Sequence, residues 1–255
     1  MKTSDSQLVL IPSYNSGGLL EATIREALDH WRPVWVVVDG STDGSERAVE
    51  FLAAGVPGLR VLRLPANAGK GAAVLFGAQE AARAGFTHAL VMDADCQHPA
   101  GMINGFFTAS AAHPDHLVLG IPVFGPEAPQ IRLQGRKISV ALVHLETLGS
   151  AIRDPLFGFR VYPLQPLIEV MTRTRRARRY DFDPEVAVRM VWDGVPTLNL
   201  PAPCRYLPRS AGGISHFHYV RDNVRMVWLH TRLIFEFLLW RWWSAWRHAR
   251  RRVLP

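Results

Sequence analysis

Along the first half of the chain, short apolar runs alternate with stretches whose apolar residues recur at helical spacing. Leu8–Ile11 is an unbroken apolar run closed by Pro12, and Val34–Val38 is a β-branched one closed by Asp-Gly. Arg60–Leu64 and Ala89–Met92 are the third and fourth such runs, the last ending at Asp93. Continuous short runs of this kind read as strands covered on both faces. Between them, Leu19–Trp31, Ser45–Ala54 and the Ala-rich Gly71–Ala84 carry helical spacing, with Ser45 as a plausible N-cap. A further helix is expected over roughly Met102–Ala112 and a strand over Leu117–Val123. This alternation predicts an α/β fold: a mostly parallel sheet with helices on both faces. Ligands of such sheets bind outside the carboxyl ends of the strands. The loops after Ile11, Val38, Leu64 and Met92 are therefore the places to look for chemistry.

The second half is less regular. Ile131–Leu148 reads as helix, Asp154–Tyr162 as loop plus a short strand, Pro184–Trp192 as a short helix, and Thr197–Arg205 as a proline-interrupted strand. A long helix is expected from about Tyr219 to Arg252. It holds Trp228, Trp240, Trp242, Trp243 and Trp246, five of the eight tryptophans. Val224, Val227, Trp228, Phe235, Leu238, Trp242 and Ala245 fall on one face, and Arg221, Arg225, Arg232 and Glu236 on the other; Arg250, Arg251 and Arg252 close it. Tryptophan and arginine around a broad apolar face describe an amphipathic helix lying in a membrane interface. The charges at Arg232, Glu236 and Arg241 argue against a spanning one.

Composition narrows the class. With 255 residues, 48% hydrophobic and 20% charged, the chain has the make-up of one folded α/β domain with an appendage, which excludes a disordered or collagen-like chain. Cys96 and Cys204 are too few for a disulfide framework and suit a reducing compartment. The net charge is +7 and nearly all of it is arginine, since Lys2, Lys70 and Lys137 are the only lysines. Such a balance suits nucleic acid, anionic lipid or a phosphorylated substrate. The dense run Arg173–Arg179 would add to attraction toward anionic lipid. The start MKTSDSQLVLIPSYN lacks the apolar core of a signal peptide, and no run of about 18 apolar residues occurs. The expectation is a cytoplasmic protein, peripheral on the cytoplasmic face of a membrane.

The strand ends carry polar residues in every case: Pro12-Ser13-Tyr14-Asn15, Asp39-Gly-Ser-Thr-Asp-Gly-Ser45, Asn67-Ala-Gly-Lys-Gly71 and Asp93-Ala-Asp-Cys-Gln-His98. Two carboxylates at i and i+2 leaving a strand can hold a hard divalent cation, Mg²⁺ or Mn²⁺, which takes a few protein oxygens and fills its shell with phosphate. Gln97 could add a carbonyl oxygen. Asp181-Phe-Asp183 repeats the spacing. Lys70 opens a helix, where anions are attracted, but Gly71 stands where a Walker loop needs Ser or Thr. No Gly-x-Gly-x-x-Gly follows the first strand, so a dinucleotide is not expected.

Taken together, Ile-Pro-Ser-Tyr-Asn, Val-Asp-Gly-Ser-Thr-Asp-Gly-Ser, Asn-Ala-Gly-Lys-Gly and Met-Asp-Ala-Asp-Cys-Gln-His-Pro, in this order and spacing, resemble family 2 glycosyltransferases of the GT-A fold. The closest flavour is the dolichol- or polyprenyl-phosphate mannose synthase-like branch, and the likeness spans about residues 8–220. It implies a catalytic domain over 1–218, with a nucleotide-sugar-binding half (1–123) and an acceptor half (124–218), followed by the amphipathic helix at 219–255. It further implies a nucleotide-diphosphosugar donor, a divalent metal and inversion at the anomeric carbon. Pro12, Tyr14 and Asn15 would line the nucleotide pocket, Asp39 would accept from base or ribose, and Lys70 would lie beside the nucleotide. Asp93, Asp95 and Gln97 would face metal and diphosphate. Departures from the pattern are Val38, where members usually have a first Asp, and Ser16-Gly17-Gly18, where they often have Glu.

In the second half, Asp154-Pro-Leu-Phe-Gly-Phe-Arg160 is similar to the segment near sugar and acceptor, and Arg209-Ser-Ala-Gly-Gly-Ile-Ser-His216 to the loop that closes on the diphosphate. Arg209 would then neutralise the leaving group and His216 would be a late metal ligand. A lipid-phosphate acceptor needs no base. A hydroxyl acceptor does, and Asp183, Glu185 and Asp154 are the candidates. The expected partners are thus the nucleotide sugar, a lipid-linked acceptor and an anionic membrane surface, with no nucleic acid. The alternatives are transfer to a non-lipid glycan hydroxyl, a related nucleotidyltransferase, or a basic nucleic-acid- or lipid-binding protein without catalysis.

Overall fold

The computed structural model describes residues 2–126, 130–149, 151–174, 176–205 and 224–239. Its core is a seven-stranded sheet. In chain order the elements are β1 (Lys2–Thr3), β2 (Gln7–Ser13), α1 (Gly18–His30), β3 (Trp31–Arg32), β4 (Val34–Asp39), α2 (Ser45–Gly55), β5 (Leu59–Leu64), α3 (Lys70–Arg83) and β6 (His88–Val91). A 3-10 turn at Ala100–Met102 leads into α4 (Ile103–Ala112), then β7 (Leu117–Phe124), α5 (Gln130–Thr147), β8 (Arg160–Pro163), α6 (Leu164–Arg173), α7 (Phe182–Trp192) and β9 (Thr197–Cys204). Residues 224–239 form a last helix, α8.

The strand order is β5-β4-β2-β6-β8-β7-β9, and β1 pairs with β3 in a separate two-stranded ribbon. β2, β4, β5 and β6 run parallel, as does β9 beside β7, whereas β8 lies antiparallel between β6 and β7. The expected mostly parallel sheet is therefore present, with one reversed strand. Nothing in an apolar run reports its direction, which is set by the connection that precedes it.

β2 continues through Pro12 rather than ending there. Leu10 turns its backbone toward β6, since its carbonyl accepts from Met92 N–H. With a period of two, Pro12 faces the same side, where the β6 ladder has already ended at Val91. Its missing N–H therefore costs no ladder bond. Ser45 is the first residue of α2 rather than its cap. Gly44 takes the left-handed cap position, and the Asp43 carboxylate accepts from both Ser45 N–H and Oγ–H.

Each face of the sheet buries one set of alternating strand residues. Val9, Ile11, Val34 and Val36 pack with Leu20 and Ile24 of α1 and Phe106 of α4. Leu8, Leu10, Trp35 and Val37 pack on the other side with Ala73 and Val74 of α3, Leu167 of α6 and Val186 of α7. α3 lies so close to β2 that a Cβ at Gly77 would stand 2.6 Å from Leu10 Cδ1.

α8 joins the second core through Leu229 and Leu233. Arg232 and Glu236, expected on the water side of this helix, are instead turned inward. Arg232 pairs with Glu185 at 2.5 Å and Arg189 bridges to Glu236 at 2.8 Å. His230 Nδ1 meets Glu146 of α5 at 2.8 Å, both fully or nearly fully buried. The stripe Val224, Val227, Trp228, Phe235 and Leu238 remains outside, each residue more than half exposed. Trp240 and the residues after it lie outside the described residues. Among the described residues no helix is long and apolar enough to cross a membrane.

Candidate active site

The polar loops after β2, β4, β5 and β6 meet at one edge of the sheet, and its chemical centre is a charge triangle. Asp93 follows β6. Its backbone N–H donates to His98 Nδ1 at 2.9 Å, so that nitrogen carries no proton and Nε2–H faces Asp93 Oδ2 at 3.6 Å. Phe157 and Phe159 stand edge-on to the His98 ring, and burial holds the imidazole below its ordinary pKa, hence neutral.

Lys70, first residue of α3, places Nζ 2.7 Å from Asp93 Oδ1 and 2.7 Å from Asp183 Oδ2. Burial pulls its pKa down, but Asp183 and Asp93 outweigh that and push it above the ordinary lysine value. Against the lift that burial gives a carboxyl, Lys70 holds Asp93 below its ordinary value. Asp95 is the opposite case: burial and the charge of Asp93 raise it. Its Oδ1 accepts from Gln97 N–H, while the Gln97 carbonyl accepts from Arg205 N–H at 3.1 Å.

The triangle joins residues 113 positions apart, and Arg160 is the pin. Fully buried, its guanidinium donates to the carbonyls of Phe157, Pro155 and Asp183. This locks the 154–160 loop to the start of α7 and so fixes Asp183 against Gly158. At Gly158 a Cβ would come within 2.6 Å of Lys70 Nζ, 3.2 Å of Asp93 Oδ2 and 3.4 Å of Asp183 Oδ1. The sequence places Gly158 and Arg160 in the segment near sugar and acceptor and His98 in the strand-end motif, but gives none of the three a role of its own. The signal for Gly158 was a glycine inside a polar–aromatic segment, which marks close backbone approach.

Around this centre the nucleotide-side residues are laced together. Asn15 sits at φ 47°, donates its backbone N–H to Ser41 Oγ and accepts from Thr42 N–H at 2.8 Å. Tyr14 beside it is 36% exposed, and Pro12 lies buried in β2. Asp39 is almost fully buried, and its two oxygens accept from Asn67 Nδ2, Ala68 N–H and Gly69 N–H. It anchors the 67–69 loop, so its effect on a ligand runs through that loop's shape as well as through any remaining lone pair.

The arginine run is not a free solvated loop. The Arg178 carbonyl accepts from Gly71 N–H, Arg179 donates to Asn67 Oδ1, Arg173 pairs with Asp193, and the Arg176 guanidinium lies 4.5 Å over the Trp228 ring. It straps the lysine loop to α8.

Two of the three candidate bases are turned elsewhere. Residues two apart on a helix point to different sides, so Asp183 faces Lys70 while Glu185, fully buried, faces Arg189 at 2.9 Å and Arg232. Asp154 Oδ1 accepts from Leu156 N–H, Phe157 N–H and, at 2.5 Å, Arg136. It caps the loop and neutralises an α5 arginine. Arg209 and His216 lie outside the described residues.

Among the described residues no group of three or more His, Cys, Asp and Glu side chains forms a ready-made metal cage. The donor set nevertheless fits a hard divalent ion that brings its own phosphate. Asp93 and Asp95 are close enough for one charge to raise the other's pKa, and a cation would relieve that repulsion.

A mostly parallel α/β sheet with acidic residues at the end of its central strand and a basic, glycine-lined loop beside them defines a GT-A type nucleotide-sugar fold. The family model for glycosyl transferase family 2 matches residues 8–174, and the chain belongs to that family; it is a glycosyltransferase. It is similar to the polyprenol monophosphomannose synthase of Mycolicibacterium smegmatis, with 27% identity over 208 residues, 79% of this chain and 78% of the relative. Among solved structures it is similar to glucosyl-3-phosphoglycerate synthase from Mycobacterium tuberculosis in complex with Mn²⁺, UDP-glucose and phosphoglyceric acid. That match has a TM-score of 0.56 at 18% identity over 93% of this chain and 79% of that one. A mannosyltransferase from Pyrobaculum calidifontis in complex with GDP-mannose and Mn²⁺ gives a TM-score of 0.57 at 21% identity, over 80% of this chain and 57% of that one. At these identities the two structures speak to the fold.

Proposed function

We propose that the protein is an inverting, metal-assisted glycosyltransferase that moves a hexose from a nucleotide-diphosphosugar to a polyprenyl phosphate at a membrane surface. The observation that carries this reading is the state of the candidate bases. Asp183 is paired with Lys70, Glu185 with Arg189 and Arg232, and Asp154 with Arg136. A carboxylate bound to a cation is a weak proton acceptor, which suits a nucleophile that is already ionised, as a phosphate monoester is and an alcohol is not. The name of the Mycolicibacterium relative points to the same acceptor chemistry.

In this reading Tyr14, Asn15 and the loop anchored by Asp39 bind the nucleoside. Asp93 and Asp95 would hold a divalent cation together with the donor diphosphate, and Gln97 and His216 are the further candidates to ligate it. The cation, when bound, supplies positive charge where the leaving diphosphate develops its negative charge. Lys70 and Arg209 add to that charge from the protein. Attack on the face of the anomeric carbon opposite the diphosphate inverts its configuration.

The membrane enters through α8, whose outer stripe of Val224, Val227, Trp228, Phe235 and Leu238 is exposed. Ile138, Leu145 and Leu148 form a second exposed apolar stripe along and just beyond α5, the helix that His230 ties to α8. Exposed apolar stripes on two helices joined in this way suit an interface of headgroups and acyl chains.

The test is acceptor choice. Supplied with a panel of GDP- and UDP-hexoses and Mn²⁺, the enzyme is expected to glycosylate polyprenyl phosphate and to leave polyprenol of the same chain length untouched. Transfer to the alcohol at a comparable rate contradicts the reading.

A further inference from the structure

Lys70 Nζ sits between the metal-side carboxylate Asp93 and Asp183, 2.7 Å from an oxygen of each, and its side chain is mostly buried. The place it occupies exists because residue 158 is glycine: a Cβ there would stand 2.6 Å from the ammonium. The arrangement is rigid, since Arg160 fixes both Gly158's loop and the Asp183 backbone. A positive charge on a carboxylate competes with any other cation for that carboxylate. Asp183 shares the ammonium and so relieves Asp93 of part of it.

We propose that Lys70 is a tethered counter-ion that keeps the divalent-cation site in a low-affinity state until a diphosphate arrives, and that Asp183 and Gly158 are positioning residues that hold the ammonium there. This rests on the functional reading above only in taking Asp93 and Asp95 as the cation's protein ligands. When the nucleotide binds, its diphosphate gives the ammonium a second anion to pair with, Asp93 is released to the divalent ion, and cation and nucleotide bind with positive coupling. By linkage the coupling is reciprocal. The consequence is an enzyme that does not hold a bare divalent ion in its resting state.

Binding of Mn²⁺ alone, read from the loss of the free-ion paramagnetic resonance signal, tests this without turnover. Lys70→Met removes the charge at similar length and is expected to tighten Mn²⁺ binding in the absence of nucleotide by about tenfold, within the usual range of coupling between sites. Gly158→Ala removes no charge, displaces the flexible end of Lys70 and shifts Asp93 by only a few tenths of an ångström, and is expected to tighten Mn²⁺ binding in the same direction by a smaller factor. Asp183→Asn leaves the ammonium to Asp93 alone and is expected to weaken it. Adding GDP or UDP, whichever the wild type binds more tightly, should raise Mn²⁺ affinity in the wild type and raise it much less in Lys70→Met. Circular dichroism checks that each variant is folded. Unchanged or weaker Mn²⁺ binding in both Lys70→Met and Gly158→Ala overturns the proposal, as does tighter binding in Asp183→Asn. If the Mn²⁺ affinities move as stated but no nucleotide sugar is turned over, the functional reading fails and this one stands; sugar transfer with unmoved Mn²⁺ affinities is the reverse.

Discussion

α7 begins with two acidic side chains that end in different kinds of charge cluster. Asp183 enters the triangle with Lys70 and Asp93 at the strand ends; Glu185 enters a cluster with Arg189, Arg232 and Glu236 between α7 and α8. In the second cluster the carboxylate is closed, although Arg232 Nε is buried without a partner. Both Glu185 oxygens are taken by guanidiniums, and the residue is fully buried. The first is open: Asp183 Oδ1 is buried without a partner, Asp93 and Asp95 are partly exposed, and Asp95 has its pKa raised beside Asp93. A saturated carboxylate holds two helices together. An unsaturated one retains free energy of interaction for something that binds later.

That contrast predicts which property each substitution damages. Asp95→Ala, in the open cluster, is expected to lower turnover about 10³-fold, ~4 kcal/mol of lost transition-state stabilisation. Its melting temperature should stay close to wild type. Steady-state kinetics beside a thermal melt would separate the two effects. Glu185→Ala, in the closed cluster, leaves Arg232 and Arg189 without their buried partner and is expected to destabilise the fold by about 3 kcal/mol. Equal turnover losses for the two variants, with unchanged melts, would erase the distinction.

A smaller effect is expected on the outer side of α8. Phe235→Asp should weaken partition onto phosphatidylglycerol-containing vesicles by about ten- to a hundredfold, since a buried phenyl group contributes roughly 1.5–3 kcal/mol. The melt should be unmoved, because Phe235 points away from the domain. Vesicle sedimentation of Leu233→Asp would sharpen the point from the inner side, where the fold and not only the partition should suffer.

The smallest effect concerns pH. Burial raises the pKa of Glu146 despite the pull of His230. A carboxyl whose folded pKa exceeds its unfolded one binds protons more tightly when folded. Its contribution to stability is therefore greatest at low pH and declines as pH rises from the unfolded value of about 4.3 through the raised folded one. Denaturant melts of Glu146→Gln across that interval should lack this decline. If wild type and variant show the same slope, Glu146 does not titrate as its burial implies.

Much of the donor half could be read from the chain because parallel strands buried on both faces are uninterrupted apolar runs, and polar residues at their ends stand out. The helix from 102, the turn at Asp93 and the loop at Asn67 all lie within a few residues of where periodicity puts them. α6 was not anticipated, although Leu164, Leu167, Ile168 and Met171 keep helical spacing and Pro166 stands in the first turn, where proline is tolerated. The sense of β8 was hidden for want of any directional signal. The Asp183–Lys70 pair was beyond reach for a different reason: it is a contact across 113 residues, created by Arg160 and by the absence of a side chain at Gly158. The inward turn of Arg232 and Glu236 on α8 depended on Glu185 and Arg189 waiting on α7 to receive them. Helical periodicity finds two faces but not which of them a neighbour needs.

The most direct test of the central claim is the stereochemistry of a lipid product. With a nucleotide α-hexose, Mn²⁺ and polyprenyl phosphate in vesicles, nuclear magnetic resonance of the isolated lipid should show a single β-linked sugar phosphate, formed by one displacement at the strand-end site. An α-linked product, or release of free sugar with no lipid product from any donor in the panel, would contradict the account.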